Sequence, residues 1–155
     1  MKKLTLALIS SVLILSTTAC QEVAKTSADA PGDATKPVAQ TDAPSAEATE
    51  AAKKDAESEV RRAQANSNIR ATEQRNNATN DGKATNRPAS DLASQVSSKL
   101  EVNIPNGNLT VEGGDGGAIT VSGTVTNQDQ LNKIEPLSKE IKGVTSVTNK
   151  AIIKK

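Results

Sequence analysis

The sequence predicts an α+β fold confined to residues 90–155: a small αββαβ domain of two helices packed on a three-stranded sheet. Three observations lead there. Val, Ile and Leu occur four times in residues 21–89 (Val23, Val38, Val60, Ile69) and eighteen times in residues 90–155. Only the second stretch can bury enough apolar surface to offset its conformational entropy. Within it, the spacing of aliphatic residues switches between the helical period and strand alternation. The 155-residue chain also has no His, Trp, Tyr or Phe, so any core is aliphatic, and one small domain is the ceiling.

Each element has its own signal. Ser90 suits an N-cap, with Asp91 in the first turn where the helix dipole favours an acid. Leu92, Val96 and Leu100 then repeat every four residues. Pro105 and Asn106-Gly107 break the chain. Leu109 and Val111 alternate with polar residues, as in a half-buried strand. Gly113-Gly114-Asp115-Gly116-Gly117 is a hairpin turn, and Ile119, Val121 and Val125 alternate again. Asn127 with Gln130 predicts a capping box. Leu131, Ile134, Leu137 and Ile141 form a second helical face, with Gly143 at C′. Pro136 lies inside that face and predicts a kink or a restart there. Residues 144–153 make the last strand.

Two segments of this region have the spacing of a known family. Gly117-x-Ile119-x-Val121-x-Gly123-x-Val125 and Gly143-Val144-x-x-Val147-x-Asn149 resemble the strand signature and the closing motif of the BON domain of bacterial envelope proteins. The resemblance covers residues 90–155. It implies binding to membranes or phospholipid, often in osmotic-stress and envelope proteins.

The chain ahead of the domain reads as signal and tether. Met1-Lys2-Lys3 precedes an apolar run over residues 4–15, then Ser16-Thr17-Thr18-Ala19-Cys20. That is a charged n-region, an h-region and a small-residue cleavage site. The run is short of the roughly 20 residues a bilayer span needs. Ala19-Cys20 resembles the end of a lipobox, which makes residues 1–19 a lipoprotein signal peptide and Cys20, the only cysteine, the acylated residue. An ordinary secretory signal cleaved nearby is the alternative. Gln21 is not the Asp that often retains lipoproteins in the inner membrane, so that resemblance points to the outer membrane.

Residues 20–89 are expected to be a tether. Residues 21–45 hold Pro31, Pro37 and Pro44 among Ala, Thr and Asp, and suggest disorder. Residues 45–75 lack Pro and Gly and are rich in helix formers. They predict a solvated, fraying helix with a thin stripe of Ala52, Ala56, Val60 and Ala63 and a Glu57–Arg61 pair. A partner-binding helix or short coiled coil is the sharper alternative. Residues 76–88 read as loop. As pure coil, the 69 residues would reach roughly 45 Å.

Composition removes several function classes. No His stands ready to activate a nucleophile, and no His/Cys cluster suits zinc. Glu112-Gly-Gly-Asp115 offers two carboxylates, too few for calcium. Residues 113–117 are no phosphate loop, because no Lys-Ser/Thr follows. Without Lys2 and Lys3 the chain carries 17 bases and 18 acids. It lacks the basic footprint and the aromatic platforms of nucleic-acid binding. No enzyme activity, metal or cofactor is expected. Residues 90–155 balance seven Lys against seven acids, so lipid contact needs a local cluster. Lys139, Lys142, Lys154 and Lys155 are the candidates, with ordinary solubilising surface as the alternative. The expectation is a lipid-anchored, periplasm-facing envelope protein whose partner is membrane phospholipid. A protein-interaction or structural module that docks an envelope protein or cell-wall partner is the competing class.

Overall fold

A computed structural model of the chain describes residues 23–34 and 45–154. The leader with Cys20, residues 35–44 of the expected tether, and Lys155 lie outside the described residues. The elements are β1 (Val23–Lys25), α1 (Ala46–Glu57), α2 (Glu59–Asn80), α3 (Ala89–Asn103), β2 (Asn108–Gly113), β3 (Ala118–Val125), α4 (Gln128–Lys139) and β4 (Ser146–Ile153). The fold is α+β, and the order α3-β2-β3-α4-β4 is the expected αββαβ.

Strand alternation builds the sheet. Leu109, Val111, Ile119, Val121 and Val125 all point to one face and are buried with Leu92, Val96 and Leu100 of α3 and Ile134 of α4. β2 and β3 pair antiparallel, with Val111 opposite Val121. β4 returns parallel to β3 through α4, with Ala118 opposite Ser146 and Val125 opposite Ile153. A parallel return needs a crossover, and α4 supplies it.

Helix ends depart from expectation in instructive ways. α3 starts at Ala89 with Pro88 at the cap and no side-chain cap bond, so Ser90 is not the cap. The fixed φ of proline starts the helix two residues earlier. Asn127 does cap α4, accepting from Gln130 N–H at 2.9 Å, while Gln130 Oε1 accepts from Thr126 N–H at 3.0 Å. α4 passes through Pro136 without restarting and ends at Lys139. The proline removes one backbone donor near the end, where only one turn of helix remains. Gly143 therefore sits in the turn beyond the helix, at φ +98°.

The sheet has four strands rather than three. β1 pairs antiparallel with β2, with Val23 opposite Glu112 and Lys25 opposite Thr110, and the strand order is β1-β2-β3-β4. Residues 26–34 then fold back over the other face of the sheet. Thr26 Oγ1 donates to Gly107 O at 2.9 Å, Thr110 Oγ1 donates to Pro31 O, and Ala34 N–H donates to Glu112 Oε1 at 3.1 Å. Thr110, Glu112, Ser122 and Thr124 are buried on that face. Part of the expected tether is thus fastened to the domain, by polar groups that aliphatic counting does not register.

The helical stretch is also docked. The chain breaks at Ser58, which ends α1 and caps α2 by accepting from Arg61 N–H. Glu57 and Arg61 therefore lie on different helices. Arg61 pairs instead with Asp55 at 2.8 Å and Glu101 at 2.9 Å. α2 lies antiparallel on α3 through Ala65, Asn68, Thr72 and Asn76, and Val60 of the expected stripe is 79% exposed. Asn68 Nδ2 donates to Ser94 and Ser98 Oγ at 3.1 and 2.6 Å, and Gln95 Nε2 donates to Thr72 Oγ1 and Glu73 Oε1. The contact is made of small and polar groups. Its net energy is modest per bond, about 1 kcal/mol each.

Candidate functional site

The two glycines that carry the family resemblance meet in space. Gly117 closes the single helical turn Asp115–Gly117 that follows β2, at φ +84°. A Cβ on it would stand 2.0 Å from Gly143 O. Thr145 N–H donates to Gly117 O at 2.9 Å and Thr145 Oγ1 to Gly116 O at 2.9 Å. The hairpin turn and the turn after α4 are thereby locked together at one end of the sheet. Beside them lies a cleft of about 370 Å³, bounded by Ala84, Arg87, Leu92, Gly117, Gly143 and Val144.

Arg87 is the charged group of this cleft, and its side chain is 0% exposed. Nη1 donates to Lys142 O, and Nη2 lies 2.8 Å from Glu73 Oε1 on α2. That ion pair lacks hydrogen-bond alignment, and Nε has no acceptor among the described residues. A Cβ on Gly143 would meet Arg87 Cδ and Ala84 O at 2.7 Å, so only glycine lets the guanidinium pass. Sequence reasoning read residues 76–88 as loop and missed Arg87. No local spacing marks it, because its partners come from α2 and from the turn after α4.

Burial alone would raise the Glu73 carboxyl. The hydrogen bond from Gln95 and the positive charge of the nearby Arg87 guanidinium outweigh it, with Lys142 adding to the effect, and the group sits below the usual carboxylate range. A depressed carboxyl contributes stability above its unfolded value and loses it as pH falls through the folded value. Burial holds Glu101, on the same interface, above its usual range despite Arg61, so its sign is opposite. The comparison that isolates Glu73 is with Glu73→Gln. Acidification from about pH 5 to 3 is expected to loosen α2 more in the native chain than in that variant, as read by amide exchange over residues 59–80.

Of the three candidate lysines among the described residues, Lys139 and Lys142 lie at one end of the domain and Lys154 at the other. Lys139 pairs with Glu135 at 2.6 Å, and Lys142 Nζ donates to Gly82 O at 2.5 Å, both at the glycine end. Lys154 N–H bonds Val125 O at the opposite end, seven residue steps or roughly 23 Å away. Lys155 is outside the described residues. The helix does lead into the last strand, but that strand's own length carries Lys154 to the other end. Among the described residues no cluster of His, Cys, Asp or Glu suits a metal ion, and no helix is long and apolar enough to cross a membrane.

The order helix, strand, strand, helix, strand, locked by the Gly117–Gly143 contact, defines a compact αββαβ domain of the α+β class. Residues 88–155 match the family model of the BON domain, and this part of the chain is a BON domain. Searches of curated proteins and of solved structures found no match to the chain.

Proposed function

We propose that this is a cell-envelope lipoprotein, acylated at Cys20 and facing the periplasm, whose BON domain binds phospholipid at the membrane surface in envelope maintenance or osmotic stress. The BON domain at residues 88–155 carries the reading. Support comes from the lipobox-like residues before Cys20 and from the cleft beside Gly117 and Gly143. There, the apolar wall of Ala84, Leu92 and Val144 suits the first methylenes of a lipid beside its headgroup. The protein acts by binding and not by group transfer, and the outer membrane is the favoured location.

Cosedimentation of the unlipidated mature chain with phosphatidylglycerol vesicles tests this. Binding is expected at low salt and falls as salt rises. Lys142→Gln weakens it by up to about fivefold, the equivalent of about 1 kcal/mol per base near an anionic surface, whereas Lys154→Gln leaves it unchanged. No binding even at low salt would sink the phospholipid reading. A protein-docking module is then the stronger class. One observation favours it: β4 is a sheet edge that pairs only with β3 among the described residues, and an extended segment of a partner can add there.

A further inference from the structure

β1 begins three residues after Cys20. Three residues of chain span at most about 11 Å. The register Val23 to Glu112 puts the start of β1 at the end of the sheet where β2 finishes and β3 begins. That is the end that carries Gly117, Gly143, Arg87 and the cleft. β1 is not a loose strand there. Thr26 N–H donates to Leu109 O at 2.8 Å, and Ala34 N–H returns to Glu112, so bonds hold the strand's far end and the segment that follows it. Resting on the acylated Cys20 of the proposed function, we infer that a lipid on Cys20 seats the folded domain directly on the bilayer by its Gly117–Gly143 end, rather than hanging it on a long tether.

Orientation in the anchored form is set by the covalent span and the strand register, so it persists at high salt. The opposite end, with Pro105, Thr126 and the first turn of α4, points away from the lipid. The cleft beside Arg87 is then held at headgroup level without any search by the domain.

The absence of Trp, Tyr and Phe makes a single introduced tryptophan the only strong fluorophore. Asp115 and Asp129 are exposed at the two ends, so Asp115→Trp and Asp129→Trp report the two faces. Two anchored forms are compared in phosphatidylcholine vesicles doped with a headgroup nitroxide lipid: the natively acylated full chain, and the mature chain joined through Cys20 Sγ to a maleimide phospholipid. Quenching is expected to be several-fold stronger at position 115 than at 129, with the same ratio at high salt. A Gly-Ser insert of about twelve residues between Gln21 and Glu22 restores a flexible tether and is expected to abolish the difference. Equal quenching at the two positions, or stronger quenching at 129, in the maleimide-anchored form overturns the seating. Intact mass of the native protein reads the anchor separately. An unmodified Cys20 removes the reading on which this rests, while the maleimide form still reports the geometry.

Discussion

Gly117→Val is expected to lower the stability of the domain by about 3–5 kcal/mol, the largest effect of any single substitution at this end. Two costs combine. The residue sits at φ +84°, where a β-branched side chain clashes with its own backbone. Its Cβ also lands 2.0 Å from Gly143 O, so the contact between the two turns has to open. In a domain of this size each kcal/mol shifts Tm by roughly 4–8 °C, so the loss exceeds 10 °C in thermal denaturation followed by far-ultraviolet circular dichroism. Gly116→Ala is the control. Gly116 has a similar φ of +66° but nothing within 4 Å of the added carbon, and the change costs about 1 kcal/mol. Equal losses at the two positions would show that the close approach contributes nothing.

Arg87→Leu is expected to cost about 2–4 kcal/mol. It leaves Lys142 O without its donor and Glu73 without its cation, although Glu73 is a third exposed and recovers some hydration. Arg87→Lys does not rescue, because one ammonium cannot reach both the carbonyl held by Nη1 and the carboxylate beside Nη2. Glu73→Gln keeps an acceptor for Gln95 and costs nearer 1 kcal/mol. The pattern that separates these cases is local. Loss of Arg87 raises amide exchange along α2 before β2 and β3 respond, and uniform loss of protection would contradict the bridging role.

The core of residues 90–155 was legible because aliphatic spacing is a direct readout of burial. Leu109, Val111, Ile119 and Val121 alternate in sequence and share one face in space. The same method was blind to β1 and α2, whose attachment is made by Thr26, Asn68, Thr72 and Gln95. Such residues compose loops as often as interfaces, and only the partner's position distinguishes the two. Lys154 stands apart from Lys139 and Lys142 for a different reason. Adjacency in sequence put the end of α4 next to the start of β4, but the eight residues of β4 then carry Lys154 along the full parallel register with β3. Arg87 and the Gly143 opening were half visible: the glycine had a motif to mark it, while the arginine that needs it had none.

The pairing of β1 with β2 also dictates an order of events when the chain forms. Positions 23 and 112 must meet across 89 residues (112 − 23), whereas the β2–β3 hairpin closes over a turn of a few residues. Closing the longer loop is entropically dearer, and contacts of such separation form late. During synthesis the N-terminal strand emerges first and waits for a template that arrives only with Asn108–Gly113. The first strand of the chain is therefore the last to join the sheet, and its backbone stays open to solvent until the rest of the fold exists.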